Sequence, residues 1–292
     1  MNSSSFCYCG RIFSLSEIEW IRSFISSHSH CNRLALSKIV CRQLQWLRPD
    51  SRLKDMSCRV AMLRMHRDGL ICLPPPQKRN GNKNNSPKLT PASLPQKSIC
   101  CPVREFGKLL LRPVSTKQDS SLWNELIQRY HYLGHKALPG AQMRYLIFSD
   151  SGVLLAALGF AAAAWKVARR DRFIGWSHQQ RLARLHLIVN NARFLILPWI
   201  TSKNLASRIL SCAAKQLPYD WLNHYSYQPV LLETFVQKDR FKGTCYRAAN
   251  WIFLGQTQGR GKLDRCHKHP LPIKDIFIYP LNKSFRKILC SS

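Results

Sequence analysis

The chain has 292 residues and 33.8 kDa, of which 45% are apolar; that excludes disorder for most of it and is enough for two cores. Its 45 Lys and Arg outweigh 15 Asp and Glu to give +30, which points to a polyanionic partner and away from an ordinary metabolic enzyme. The longest apolar run, Gly152–Trp165, spans 14 residues against the roughly 20 that a bilayer needs, and the opening MNSSSFCYCGR has no signal-peptide pattern. A cytoplasmic protein without a membrane partner is expected.

Composition divides the chain into 1–73 (11 basic, 5 acidic), 74–112 (8 and 1) and 113–292 (26 and 9). In the first part, Ser14 or Ser16 can cap SEIEWIRSFISS, with Glu17 and Glu19 in the first turn, where the helix dipole favours acids. Ile18, Ile21 and Ile25 form one face. Leu36, Ile39, Val40 and Leu44 stripe a second helix in RLALSKIVCRQLQW, and Met56, Val60, Leu63 and Met65 a third that ends at Gly69. LICLP then reads as a strand. Three helices and a strand predict a winged-helix-like domain over 1–73, with Arg33, Lys38, Arg42, Lys54, Arg59 and Arg64 on its helices as phosphate contacts; the alternatives are a helical bundle with ordinary solvated charges and a protein-docking module. Residues 74–112 open on Pro74, Pro75 and Pro76, lack apolar periodicity and read as a basic, extended linker.

The third part alternates. WNELIQRYHYL is helical; MRYLIFS and VLLAALGF form a hairpin around Ser151-Gly152; ARFLILPWI is a strand; NLASRILSCAAKQLPYDWLNHY is a long helix; PVLLETFV is a strand; GTCYRAANW and IFLG follow as helix and strand. That order resembles the GNAT-type acyltransferase fold over about residues 120–260. The fold class is therefore α+β: a winged-helix-like domain, a basic linker, and a GNAT-like mixed-sheet domain over 113–292.

The resemblance implies a phosphate-cradling loop before the long helix. Here that loop is ITSKNLAS, which has no glycine to let backbone N–H groups close on a pyrophosphate, although Lys203 is available. Acyl transfer from acetyl-CoA or an aminoacyl-type donor is thus the alternative reading, and no cofactor is expected. GQTQGRGKL fails the phosphate-loop spacing, since five residues separate Gly255 from Gly261 and Leu263 follows Lys262. Arg260 and Lys262 in it read as phosphate contacts.

Acids are few. Glu233 inside the apolar PVLLETFV is costly to bury unpaired, so an arginine partner, Arg181 or Arg193, is expected. The functional alternative makes Asp171 and Glu233 a base or metal ligand near Asn190, Asn191, Tyr246 and Asn250; Asp171, Glu233, Tyr246 and Asn250 are the weak catalytic candidates. Three clustered carboxylates for a two-metal nuclease are not evident. His131 in RYHYLG reads as a packed aromatic neighbour. Cys7-x-Cys9 is too tight for zinc and Cys266-x-x-His269 lacks a second pair, so no metal site is expected and the cysteines read as reduced, largely buried thiols.

RYHYLG, LPGAQMRYLI, RDRFIGW, LIVNNARFLILPW, NLAS, LLETFV, GTCYRAANW and LGQTQGRGK together closely resemble the Druantia anti-phage defence protein A family, whose members also occur beside transposase genes. Asp171, Trp176, Arg193, Glu233, Tyr246, Asn250 and Arg260 match its pattern. The resemblance brings no role for these residues. It implies a cytosolic protein acting on invading or mobile DNA, with possible partner proteins of a defence or transposition complex; DNA as ligand agrees with the charge.

Overall fold

A computed structural model describes residues 6–77, 86–259 and 271–291. The chain forms two compact units, 1–85 and 86–292.

The first unit opens on a hairpin, β1 (Phe6–Tyr8) and β2 (Arg11–Phe13), paired antiparallel. Three helices follow: α1 (Leu15–Ser27), α2 (Arg33–Gln43) and α3 (Asp55–Arg67). Ser14 caps α1 by accepting from the Glu17 amide, and the Glu17 carboxylate returns the bond to the Ser14 amide. Arg11 holds the same carboxylate at 2.7 Å. Ile18, Ile21, Leu36, Val40, Met62 and Met65 bury together with Phe13 and Trp46.

Two features of this unit differ from the sequence reading. The strand expected at LICLP does not form among the described residues. Ile71 and Leu73 sink into the helical core, and the Leu73 amide donates to His66 Nδ1 at 3.3 Å, so the segment's polar groups are met locally and not by a ladder. The connection from α2 to α3 runs over residues 44–54 and folds back on itself at a Leu47–Leu53 bridge, whereas a helix-turn-helix uses about 3–4 residues. The hairpin stands before the helices, not after them.

The second unit begins inside the stretch read as linker. Residues 86–112 are not extended spacer: they carry β3 (Ile99–Cys100) and part of β4 (Leu110–Pro113). Thr90 and Ser93 donate to the buried Glu125 carboxylate. The polar composition that read as linker serves that carboxylate.

Then come α4 (Lys117–Tyr130), β5 (Met143–Phe148), β6 (Leu154–Ala162), α5 (Ala168–Ile174), α6 (His178–Arg184), β7 (Ile188–Ile196), β8 (Ile200–Thr201), α7 (Leu205–Tyr225), β9 (Leu231–Gln237), α8 (Thr244–Ala248), β10 (Ile252–Gln256), β11 (Lys274–Pro280) and α9 (Phe285–Leu289). One seven-stranded sheet runs β10-β11-β9-β7-β6-β5-β4. Every neighbour pair in it is antiparallel except β7 and β9. β3 and β8 form a separate parallel pair. The 14-residue apolar run became β6, a central strand buried along most of its length. Trp123 of α4 donates its indole N–H to the Leu158 carbonyl of β6 at 2.9 Å.

The feature that positions the site is the meeting of β7 and β9. They pair in parallel over three residues, Ile188–Asn190 against Leu231–Glu233. Beyond that the ladder stops and the strands leave a gap. β7 also carries a bulge: Gly159 faces Arg193 and Phe160 faces Asn191, so Ala192 has no opposite residue. Gly159 is needed there, because a Cβ would sit 2.9 Å from Trp123 and 3.2 Å from the Arg193 Cβ.

Candidate functional site

A cavity of about 790 Å³ lies where β7 and β9 part. Its walls come from β7 (Asn190–Ile196), β9 (Thr234–Val236), the end of α4 with the loop after it (Tyr130–Leu133), and the turn leading into α8 (Arg240–Tyr246); Lys274 of β11 completes it. Among the described residues the lining contains four cations, Arg193, Arg240, Lys242 and Lys274, and no carboxylate.

Arg193 is 9% exposed. Its Nη1 donates to its neighbour's Ala192 carbonyl at 2.8 Å, and its Nε is buried without a partner. Burial lowers its pKa. The same charge acts on its neighbours. Burial, then Arg193, holds His131 down at about 4, and the same two causes lower Lys274. His131 is therefore a neutral ring at pH 7. It accepts from the Leu133 amide through Nδ1 and stacks on Tyr132.

The floor is a hydrogen-bond chain. Asn191 Nδ2 donates to the Arg193 carbonyl at 3.2 Å, fastening the bulge, and Asn191 Oδ1 accepts from the Tyr246 hydroxyl at 2.8 Å. Thr234 donates to the Asn191 carbonyl at 3.0 Å. Burial pushes the Tyr246 pKa far up, so it serves as a neutral donor and not as a base. Asn190 Oδ1 is buried beside the cavity and unpartnered.

Glu233 belongs to a second, separate cluster. The carboxylate is fully buried and accepts from Arg170 at 2.7 Å and from the Ala164 amide at 2.7 Å. Arg170 also binds Asp171 at 2.8 Å, and Asp171 in turn meets Arg181 at 3.3 Å and the Trp176 indole at 3.2 Å. Two acids and two arginines neutralise one another. Burial raises the Glu233 pKa, and Arg170 opposes it. The partner of Glu233 is thus Arg170, not Arg181 or Arg193.

Of the catalytic candidates, Tyr246 lines the cavity. Glu233 and Asp171 are tied into the charge cluster. Asn250 is exposed, at φ 62, in the turn that closes α8. Lys38, Arg42 and Arg64 are exposed on α2 and α3. Arg33 is half-buried with its Nε on the Pro74 carbonyl at 2.7 Å, Arg59 is held by Asp55 and Met56, and Lys54 is half-buried beside α3. Arg260 and Lys262 lie outside the described residues. Lys274, Arg240 and the cavity roles of Arg193 and His131 escaped the sequence reading, which named Arg193 only as a partner for Glu233 and as a match to the family pattern. Arg193 had a signal: a cation inside the apolar NNARFLIL is as costly as an acid inside PVLLETFV. Among the described residues no three metal-ligating side chains cluster, and no helix is long and apolar enough to cross a membrane. Cys41 and Cys58 are buried, but Cys7, Cys72 and Cys100 are exposed, so the thiols are less uniformly interior than expected.

Sheet and cavity define an α+β protein whose mixed sheet opens between its two parallel strands, with a cationic pocket in the opening. The chain belongs to the family of the Druantia protein DruA, whose model matches residues 64–269. No curated protein matches it. Among solved structures, the spermidine N-acetyltransferase of Vibrio cholerae in complex with CoA and spermine is 11% identical, covering 61% of this chain and 98% of that one at a TM-score of 0.41. A K23-Q34 chimera of that enzyme, SpeG, with hSSAT is 11% identical over 61% of this chain and 98% of that one, at 0.40. Likeness at this level says nothing about what the chain binds.

Proposed function

We propose that the protein binds DNA through basic surfaces as a cytoplasmic component of an anti-phage defence or mobile-element system, alongside partner proteins. The observation that carries this is the pairing of family membership with a +30 chain whose helices α2 and α3 present Lys38, Arg42 and Arg64 to solvent. Lys38 and Arg42 stand four apart on one helix face, a spacing suited to successive phosphates. Whether the first unit docks as a winged helix does and whether Arg260 and Lys262 add a second contact belong to the same proposal. Titration of duplex DNA across a salt series tests it. Each neutralised phosphate contributes about −0.9 to the slope of log K against log salt, and a slope steeper than about −4 is expected. A slope near zero, or no binding at low salt, contradicts it.

A second reading, acyl transfer, is favoured by one observation. Asn204, in the loop ITSKNLAS, takes φ 65 at the start of α7. It adopts the left-handed conformation that asparagine, after glycine, takes most readily. Against this reading, Glu233 and Asp171 are spent on Arg170 and Arg181 and are not available as a base. Incubation with acetyl-CoA and primary amines is expected to release no free thiol; steady release establishes the alternative.

A further inference from the structure

We infer that the cavity between β7 and β9 is a binding site for a nucleoside phosphate, with Arg193 as the buried counter-charge for its phosphate. Five observations converge on this. A guanidinium that is nine-tenths buried loses most of its hydration, and proteins supply such a charge with a partner. Among the described residues Arg193 has none beyond its neighbour's carbonyl, and its Nε is buried without a hydrogen bond while the residue lines the cavity. Arg240, Lys242 and Lys274 line the same space, and among the described residues no carboxylate lines it, so the lining is net positive. A phosphate answers both needs, since its oxygens accept from a guanidinium fork at short distance.

The remaining walls ask for more than an inorganic anion. Tyr132 and Phe241 pack edge to face at 5.3 Å, and Phe241 is 47% exposed. Such rings are platforms for a base. Asn190 belongs to the same wall and brings an amide side chain, a group that pairs with bases and sugar hydroxyls. A cavity of about 790 Å³ lies within the roughly 300–1,000 Å³ of small-molecule sites. Phosphate, sugar and base thus suit the buried cation, the amide of the wall and the aromatic rings together.

The unit could be a free nucleotide or the 5′-phosphorylated end of a strand. The strand-end form rests on the DNA-binding proposal; the free form does not.

The test uses the full chain. Melting temperature is followed with adenosine and thymidine 5′-monophosphates, with the corresponding nucleosides, with inorganic phosphate and with acetyl-CoA. Mononucleotides are expected to raise it, and nucleosides and phosphate alone to do so far less. Arg193→Met is expected to melt no lower than wild type without ligand, because it removes an unpaired buried charge, and to weaken mononucleotide binding by roughly 10- to 100-fold. Lys274→Gln, at a half-buried position, is the second variant and is expected to weaken binding less. A short single strand with a 5′-phosphate, compared with the same strand bearing a 5′-hydroxyl, separates the sources. Competition by the phosphorylated strand that disappears in Arg193→Met assigns the strand end, and its absence with mononucleotide binding intact assigns the free nucleotide. No response to any nucleotide, a response unchanged in Arg193→Met, a response to acetyl-CoA alone, or an Arg193→Met chain that melts well below wild type overturns the inference. Unphosphorylated blunt duplex in the salt titration reports on the basic surfaces separately.

Discussion

Glu233 and Arg170 make the sharpest residue-scale prediction. Both side chains are fully buried and 2.7 Å apart. Replacing one partner leaves the other charged and dehydrated, so Glu233→Gln is expected to lower unfolding free energy by about 3 kcal/mol, measured by urea denaturation. Glu233→Leu with Arg170→Met is expected to recover most of that loss, since a packed apolar pair replaces the ions. A Glu233→Gln chain as stable as wild type but inactive in cells would assign the carboxylate to function instead. His131 supplies a prediction in pH. Its folded pKa of about 4 lies below its ordinary 6.5. The unfolded chain therefore binds more protons between those values, and stability falls as pH drops through that interval. Urea midpoints taken from pH 7 to pH 4 are expected to decline less steeply in His131→Gln. The cost of burying Glu233 was legible in its apolar strand, and the need for an arginine followed from it. The identity of the arginine was not. Arg170 sits in α5, 63 residues earlier, and the seven-residue ARRDRFI is too short and too charged to show an apolar period. Arg181 does join the cluster, but through Asp171.

At the scale of elements, those with explicit punctuation were readable. α1 begins where Ser14 and Glu17 form a capping box, and α7 begins one residue after the expected Asn204. Ser14→Ala is expected to cost about 1 kcal/mol in the first unit, read from its thermal or urea unfolding. The β5–β6 hairpin closes at Gly152, φ 82, as its turn sequence requires. Elements defined by distant partners were not readable. β11, KDIFIYP, sits between β9 and β10 in the sheet, a position set by tertiary pairing alone. LICLP carried strand-like residues, but its apolar side chains found the helical core first. The β7 bulge was invisible as well, because it exists only in register against β6. Gly159→Ala tests how tightly that register is packed: its Cβ would press on Trp123 and Arg193, and a loss of roughly 1–3 kcal/mol is expected by urea denaturation.

For the whole molecule, composition allowed more than one core, and the chain forms two compact units with three buried apolar clusters. The boundary did not follow from composition. Low hydrophobicity over 74–112 suggested spacer, yet residues 86–112 build a strand of the main sheet and the hydroxyl cradle of Glu125. Composition measures how much a segment can bury, and a few hydrogen bonds to one buried acid can order a polar stretch. The cavity was likewise out of reach, since it depends on where two strands stop pairing. The central proposal is that exposed cations on α2 and α3 carry DNA binding. The most direct measurement compares the salt dependence of duplex binding for the wild-type chain and for Lys38→Gln/Arg42→Gln/Arg64→Gln. Loss of three phosphate contacts is expected to make the slope shallower by about 3 and to weaken binding uniformly across sequences. An unchanged slope and affinity in a folded triple variant would contradict the proposal.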